Sequence, residues 1–189
     1  MPKFHNEFDR RKANPMTAPA CTFFVLGGAR SGKTRHAMAL AEQCPRRIYI
    51  ATAQPHDNEM HNRILNHQAE RDITWSTIEA SLQLGDAIAL AQAHETAILV
   101  DCLTLWLSNL FGADADIEKE TGKLLTVISQ MTTRLVLVSN EVGLGIVPAN
   151  ALARKFRDAQ GRLNQRIAAA VDCVDFIAAG LPLNLKPGR

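Results

Sequence analysis

The sequence predicts a three-layer α/β domain built around a mostly parallel sheet. Two observations lead there: five short apolar runs rich in β-branched and aromatic residues recur along the chain, and the segments between them are long enough for crossover helices. A third observation is a glycine-rich turn ending in Lys-Thr directly after the first run, which places anion binding at the carboxyl edge of that sheet.

Residues 1–20 are polar, punctuated by Pro2, Pro15 and Pro19 and without periodicity, so they are expected to form a disordered leader to a single domain over 21–189. The apolar runs are residues 22–26 (TFFVL), 47–51 (RIYIA), 97–100 (AILV), 134–138 (RLVLV) and 173–178 (CVDFIA). They are apolar on both faces, which suits parallel strands covered on both sides. Residues 34–43, 79–94, 117–131 and 150–171 are read as the crossover helices. A short extra strand is expected near residues 73–78.

Composition narrows the function classes. Lys plus Arg number 21 and Asp plus Glu 19, a net charge of +2 that the leader alone supplies through Lys3, Arg10, Arg11 and Lys12 against Glu7 and Asp9. A balanced body lacks the basic footprint of a nucleic-acid binder. No apolar run approaches the ~18 residues of a membrane span, and the leader has no apolar core of a secretory signal. The four cysteines, Cys21, Cys44, Cys102 and Cys173, form no CxxC. Reduced thiols and a cytoplasmic location are therefore the expectation.

The glycine-rich turn reads Gly27, Gly28, Ala29, Arg30, Ser31, Gly32, Lys33, Thr34, a full match to the phosphate-binding P-loop pattern G-x-x-x-x-G-K-[ST], with a strand before it and a helix after. Its backbone N–H groups can converge on phosphate oxygens, Lys33 can reach the β- and γ-phosphates, and the Thr34 hydroxyl can ligate Mg²⁺. The competing reading is a Gly-rich turn with a chance Lys-Thr. Asp101 ends the third run, where the second metal anchor of a P-loop protein sits; otherwise it is a strand-end Asp capping the next helix. Signalling GTPases carry Asn-Lys-x-Asp after a late strand, whereas this chain has Ser139-Asn140-Glu141-Val142-Gly143.

The stretch after the second run is dense in ionisable groups, including His56, His61, Arg63, His67, Glu70 and Arg71. Spacing alone reads it as a solvated amphipathic helix with Met60, Ile64 and His67 on adjacent turns of one face, where a lone histidine is more often structural. His61 and His67 stand six apart and do not align on a helix face, so a metal pair is not expected there.

These residues resemble the bifunctional adenosylcobinamide kinase/adenosylcobinamide-phosphate guanylyltransferases of cobalamin biosynthesis. The resemblance runs through GGARSGKTRHA (27–37), YIATAQ followed by DNEM and RI..H (49–67), Trp75 with Glu79, LVDCLTLWLSNL (99–110) and VSNEVGLGIVP with LAR.FRD..GRLNQRIA (138–168). It implies a RecA-like P-loop NTPase fold and two reactions. A nucleoside triphosphate, ATP or GTP, phosphorylates adenosylcobinamide; GTP then gives GMP to adenosylcobinamide phosphate, releasing pyrophosphate, through a guanylylated histidine. The family's R-I-x-x-H stretch is Arg63-Ile64-Leu65-Asn66-His67 here, which makes His67 the nucleophile beside Lys33. It also implies nucleotide contacts from the P-loop, from Ala51, Thr52 and Ala53, from Gln68, Ala69, Glu70 and Arg71, and from Glu79 and Asp101. Mg²⁺ falls to Thr34 and Asp101, and a homo-oligomer is implied. Many relatives have a basic residue after the histidine and Pro after the later Arg, where this chain has Gln68 and Asp72.

Two other functions remain open at this point. A plain P-loop small-molecule kinase would form no protein–nucleotide bond; a nucleotide-dependent interaction module would release no pyrophosphate.

Overall fold

The computed structural model describes residues 21–54 and 73–188. The expected leader, residues 1–20, and the stretch carrying His67, Gln68, Ala69, Glu70 and Arg71 lie outside the described residues. The elements in chain order are β1 (Thr22–Gly27), α1 (Lys33–Ala41), β2 (Arg46–Ala51), β3 (Trp75–Glu79), α2 (Leu84–Ala91), β4 (Thr96–Asp101), α3 (Leu103–Gly112), α4 (Ile117–Ser129), β5 (Arg134–Asn140), α5 (Ala151–Ala170), β6 (Cys173–Ala178) and β7 (Leu181–Lys186).

The strands form one seven-stranded sheet in the order β3-β2-β4-β5-β1-β6-β7. All neighbours are parallel except β6 and β7, which form an antiparallel hairpin. Alternate residues of each central strand feed opposite faces, as the two-residue period requires. Phe24, Leu26, Ile98, Val100, Leu135 and Leu137 pack under α2, α3, α4 and α5. Val25, Ala97, Leu99, Val136 and Val138 pack on the other face under α1, whose buried Ala37 and Ala41 let the helix lie close to the strands. Among the described residues no helix is long and apolar enough to cross a membrane.

The predicted α/β architecture is present, with three differences in detail. The helix expected over 79–94 begins only at Leu84, because Glu79 still belongs to β3. Its register partner is Ala51, and the Ala80 N–H donates to the Ala51 carbonyl at 2.9 Å. Strand pairing there outweighs the helix propensity of Glu-Ala. Helix α3 was not expected: Leu103, Thr104, Trp106, Leu107 and Leu110 are all buried, so the segment lacks the broad polar face that marks a helix in sequence. Strand β7 was not expected either, because Pro182 and a row of exposed leucines disguise it. As the edge strand it tolerates the proline.

Candidate functional site

The site forms at the carboxyl edge of β1, β4, β2 and β3, and crossover geometry explains why. The connection from β1 to β2 must pass over β5 and β4, so α1 packs on both. Its first turn therefore lies above the end of β4 although β5 separates β4 from β1. Thr34 donates its hydroxyl to Asp101 Oδ2 at 3.0 Å across that gap. Asp101 does not cap α3; the N-cap residue is Cys102.

The loop between β1 and α1 is shaped by close approach. A Cβ on Gly27 would lie 2.5 Å from Ser31 Oγ and 2.7 Å from the Ile177 carbonyl, so only glycine fits. Gly32 has φ of 93°, a left-handed conformation that turns the chain into α1. The Ser31 N–H donates to the Gly28 carbonyl at 3.3 Å, and His36 N–H closes the first helical turn on Gly32 at 3.1 Å. Lys33 Nζ donates to the Gly28 carbonyl at 3.1 Å, folding its ammonium back over the loop. The first-turn N–H groups of α1 have no acceptor within the helix, the arrangement by which a helix N-terminus receives an anion. Ala29 and Arg30 are exposed at the tip.

The other strand ends fall in line. Ala51 stands in register with Glu79 on one side and Asp101 on the other. Thr52 is buried and ties two strand ends together: its hydroxyl donates to the Cys102 carbonyl and accepts from the Cys102 N–H, both at 2.8 Å. Ala53 follows it, and Glu79 is exposed at its strand end. The structure thus brings Gly27, Gly28, Ala29, Arg30, Ser31, Gly32, Lys33 and Thr34 to one edge with Ala51, Thr52, Ala53, Glu79 and Asp101.

Several supporting residues were not read from the sequence. Tyr49 donates its hydroxyl to Asp101 Oδ2 at 3.1 Å, so the carboxylate is oriented by two hydroxyls. It is the chain's only tyrosine, buried between Ile48 and Ile50, and a buried phenol needs a partner. Behind the loop, buried Ser139 donates to Asn164 Oδ1 at 2.9 Å, and Gln160 Nε2 donates to Ser139 Oγ at 3.0 Å. Thr104 accepts from the Asn140 N–H at 2.8 Å. This network fixes the end of β5, from which the Glu141 N–H donates to the Gly27 carbonyl at 3.1 Å. The legible signal was Gln160 and Asn164, one helical turn apart on the apolar stripe of α5. The turn between β6 and β7 braces the loop from the far side, where the Gly180 N–H donates to the Ser31 carbonyl at 2.8 Å.

Cys102 sits beside the site without serving it. Burial, with the Asp101 carboxylate adding to it, pushes its thiol from the ordinary 9.0 up to about 12. The reactive thiolate is therefore suppressed at neutral pH. Alkylation of the native protein at pH 8 is expected to leave Cys102 unmodified in a peptide mass map; modification as fast as in the unfolded chain would contradict this. The same shift sets a sign for alkaline stability. Above pH 9.0 the unfolded chain loses a proton that the folded chain keeps, so this contribution to stability falls between pH 9.0 and about 12.

Comparison with known proteins agrees with this geometry. The sequence profile of the family described as cobinamide kinase / cobinamide phosphate guanyltransferase matches residues 23–185. The chain is 44% identical over 165 residues to the bifunctional adenosylcobalamin biosynthesis protein CobP of Pseudomonas aeruginosa, covering 86% of this chain and 95% of that one. It is 42% identical over 177 residues to the corresponding CobU protein of Salmonella typhimurium, covering 86% and 98%. In fold it is similar to a Pyrococcus horikoshii protein, with a TM-score of 0.53, 9% identity and coverage of 91% and 89%. It is also similar to an ATPase of a bacterial type III secretion system, with a TM-score of 0.56, 9% identity and coverage of 89% and 57%. A nucleotide-binding P-loop fold, completed by profile and relatives over nearly the whole described chain, makes this protein a member of the cobinamide kinase / cobinamide phosphate guanyltransferase family of transferases.

Proposed function

We propose that this chain phosphorylates the aminopropanol hydroxyl of adenosylcobinamide with ATP or GTP, and then transfers GMP from GTP to that phosphate with His67 as the transient carrier. The observation that carries the reading is the meeting of Lys33, Thr34 and Asp101 at one sheet edge in a chain of this family.

In the first reaction the acceptor oxygen attacks the γ-phosphorus, the bond to the nucleoside diphosphate breaks, and the hydroxyl proton is released. Lys33 and the loop N–H groups hold the phosphates in line and offset the charge that spreads over their oxygens. In the second, a His67 ring nitrogen attacks the α-phosphorus of GTP and pyrophosphate leaves. The corrinoid phosphate oxygen then attacks the same phosphorus, the P–N bond breaks, and the imidazole is restored. Neutral imidazole, with an ordinary pKa of about 6.5, is a competent nucleophile at neutral pH.

Gly27, Gly28, Ala29, Arg30, Ser31, Gly32, Lys33 and Thr34 cradle the phosphates in this reading. Ala51, Thr52, Ala53, Gln68, Ala69, Glu70, Arg71, Glu79 and Asp101 surround the rest of the nucleotide. The hard oxygens of Thr34 and Asp101, 3.0 Å apart, fit Mg²⁺, a cation that takes one or two side-chain oxygens and completes its shell with phosphate and water. When bound with nucleotide, it would supply further positive charge at the β- and γ-phosphates. Within the proposal the protein is a cytoplasmic homo-oligomer with no nucleic-acid partner, in keeping with the near-balanced charge.

Intact-mass spectrometry after incubation with GTP and Mg²⁺ tests the proposal. The expected result is a gain of one GMP, discharged by adenosylcobinamide phosphate. A protein that phosphorylates adenosylcobinamide yet never gains mass would be a plain kinase.

A further inference from the structure

The residues described so far account for the nucleotide and leave the large acceptor without a surface. The ten residues between β5 and α5 start at the phosphate loop, where Asn140 is in register with Gly27 and Glu141 N–H bonds the Gly27 carbonyl at 3.1 Å. From there the chain exposes Leu144 (82%), Ile146 (98%) and Val147 (62%), and then Leu152 (63%) in the first turn of α5. No charged side chain occurs from Val142 to Ala153. Asn150 and Leu152 open onto a cavity of about 550 Å³ that Phe111 and Phe156 also line. These two rings stack edge to face at 5.6 Å.

The end of this loop that enters α5 is held in place. Asn150 caps α5 by accepting from the N–H groups of Leu152 and Ala153 at 2.7 and 3.2 Å. The Arg154 guanidinium donates to the carbonyls of Pro148 and Ala149 at 2.9 and 2.6 Å. Exposed aliphatic side chains on an anchored loop beside a reaction centre mark a binding surface. Its lack of charged side chains and its exposed aliphatic ones favour a broad apolar ligand. Cobinamide has that chemistry: a flat corrin ring with methyl groups on its faces, neutral amides around its rim, and the reacting hydroxyl on an extended arm.

We infer that the β5–α5 loop binds the acceptor, with the corrin ring lying against Leu144, Ile146 and Val147 while its aminopropanol arm reaches back past Glu141 to the phosphate loop. The inference rests on the proposed activity, in which the acceptor is a cobinamide. It gives the loop a substrate that the nucleotide contacts do not explain, and it makes these side chains determinants of acceptor specificity.

The test is a steady-state comparison of wild type with the double variant Leu144→Asp/Ile146→Asp, varying adenosylcobinamide and nucleotide separately. The variant is expected to raise KM for adenosylcobinamide by about tenfold or more, the scale of losing a buried apolar anchor. Its affinity for GTP and its molar mass by light scattering should match wild type. Leu144→Ile/Ile146→Leu, which keeps the apolar surface, should hold KM within about threefold. An unchanged corrinoid KM in the aspartate variant would overturn the inference. So would dissociation of an oligomer by that variant, which would assign the face to a second copy of the chain, and so would lost GTP affinity, which would make the loop part of the nucleotide cradle. Failure of the wild type itself to phosphorylate adenosylcobinamide would instead overturn the proposed activity, and is read before any variant.

Discussion

His67→Asn is expected to abolish labelling of the protein by α-labelled GTP and to lower guanylyl transfer by at least about 10³-fold, ~4 kcal/mol of barrier, while cobinamide phosphorylation continues. The asymmetry follows from bond accounting. GMP transfer through a carrier needs a ring nitrogen to form the P–N bond, and Asn keeps polarity and similar bulk without one. The kinase step needs no carrier, because the acceptor hydroxyl attacks the γ-phosphorus itself. The bond in the wild type should break in acid and persist in alkali, the behaviour of a phosphoramidate and the reverse of an acyl phosphate. His56→Ala and His61→Ala should still label. Label mapped to His61 or to Lys33 would refute the assignment of His67 while leaving the family membership intact.

Lys33→Ala is the second large effect: both reactions should fall by about 10²–10³-fold, the scale of removing one preorganised charge donor from a transferred phosphate. The sequence contains a single P-loop, and its lysine folds back over the loop at 3.1 Å from the Gly28 carbonyl. One cradle serving both reactions predicts parallel losses. The fold should persist, because Lys33 stands at the first position of α1, partly exposed and outside both apolar clusters. Thermal unfolding followed by circular dichroism checks that separately from activity. A variant that still phosphorylated adenosylcobinamide at the wild-type rate would require a second nucleotide site.

These two predictions differ in what supports them. That for Lys33 has a described geometry behind it. His67 lies outside the described residues, and its assignment comes from the R-I-x-x-H stretch within a chain whose family membership is shown.

The sequence by itself determined the features that are local in the chain. A phosphate loop is a property of eight consecutive residues: Gly27 and Gly32 are required by a close approach and a positive φ, and Lys33 and Thr34 follow at fixed spacing. The central strands were legible because burial on both faces demands unbroken apolar runs. Strand order was not legible, since nothing near β1 or β4 in the chain says that β5 will stand between them. Only that insertion, with α1 crossing over it, carries Thr34 to within 3.0 Å of Asp101. Tyr49 and Ser139 were not legible as site residues for the same reason: each acts through partners supplied by other elements, and Gln160 and Asn164, though marked as polar residues on an apolar helical stripe, did not reveal which strand end they hold. Helix α3 escaped because it is mostly apolar and carries no charged residue, with only Ser108 and Gly112 exposed, so its polar face is too narrow to give its period away. The tertiary structure decided which strand ends meet, because long-range pairing is set by the packing of whole elements and not by any local stretch of sequence.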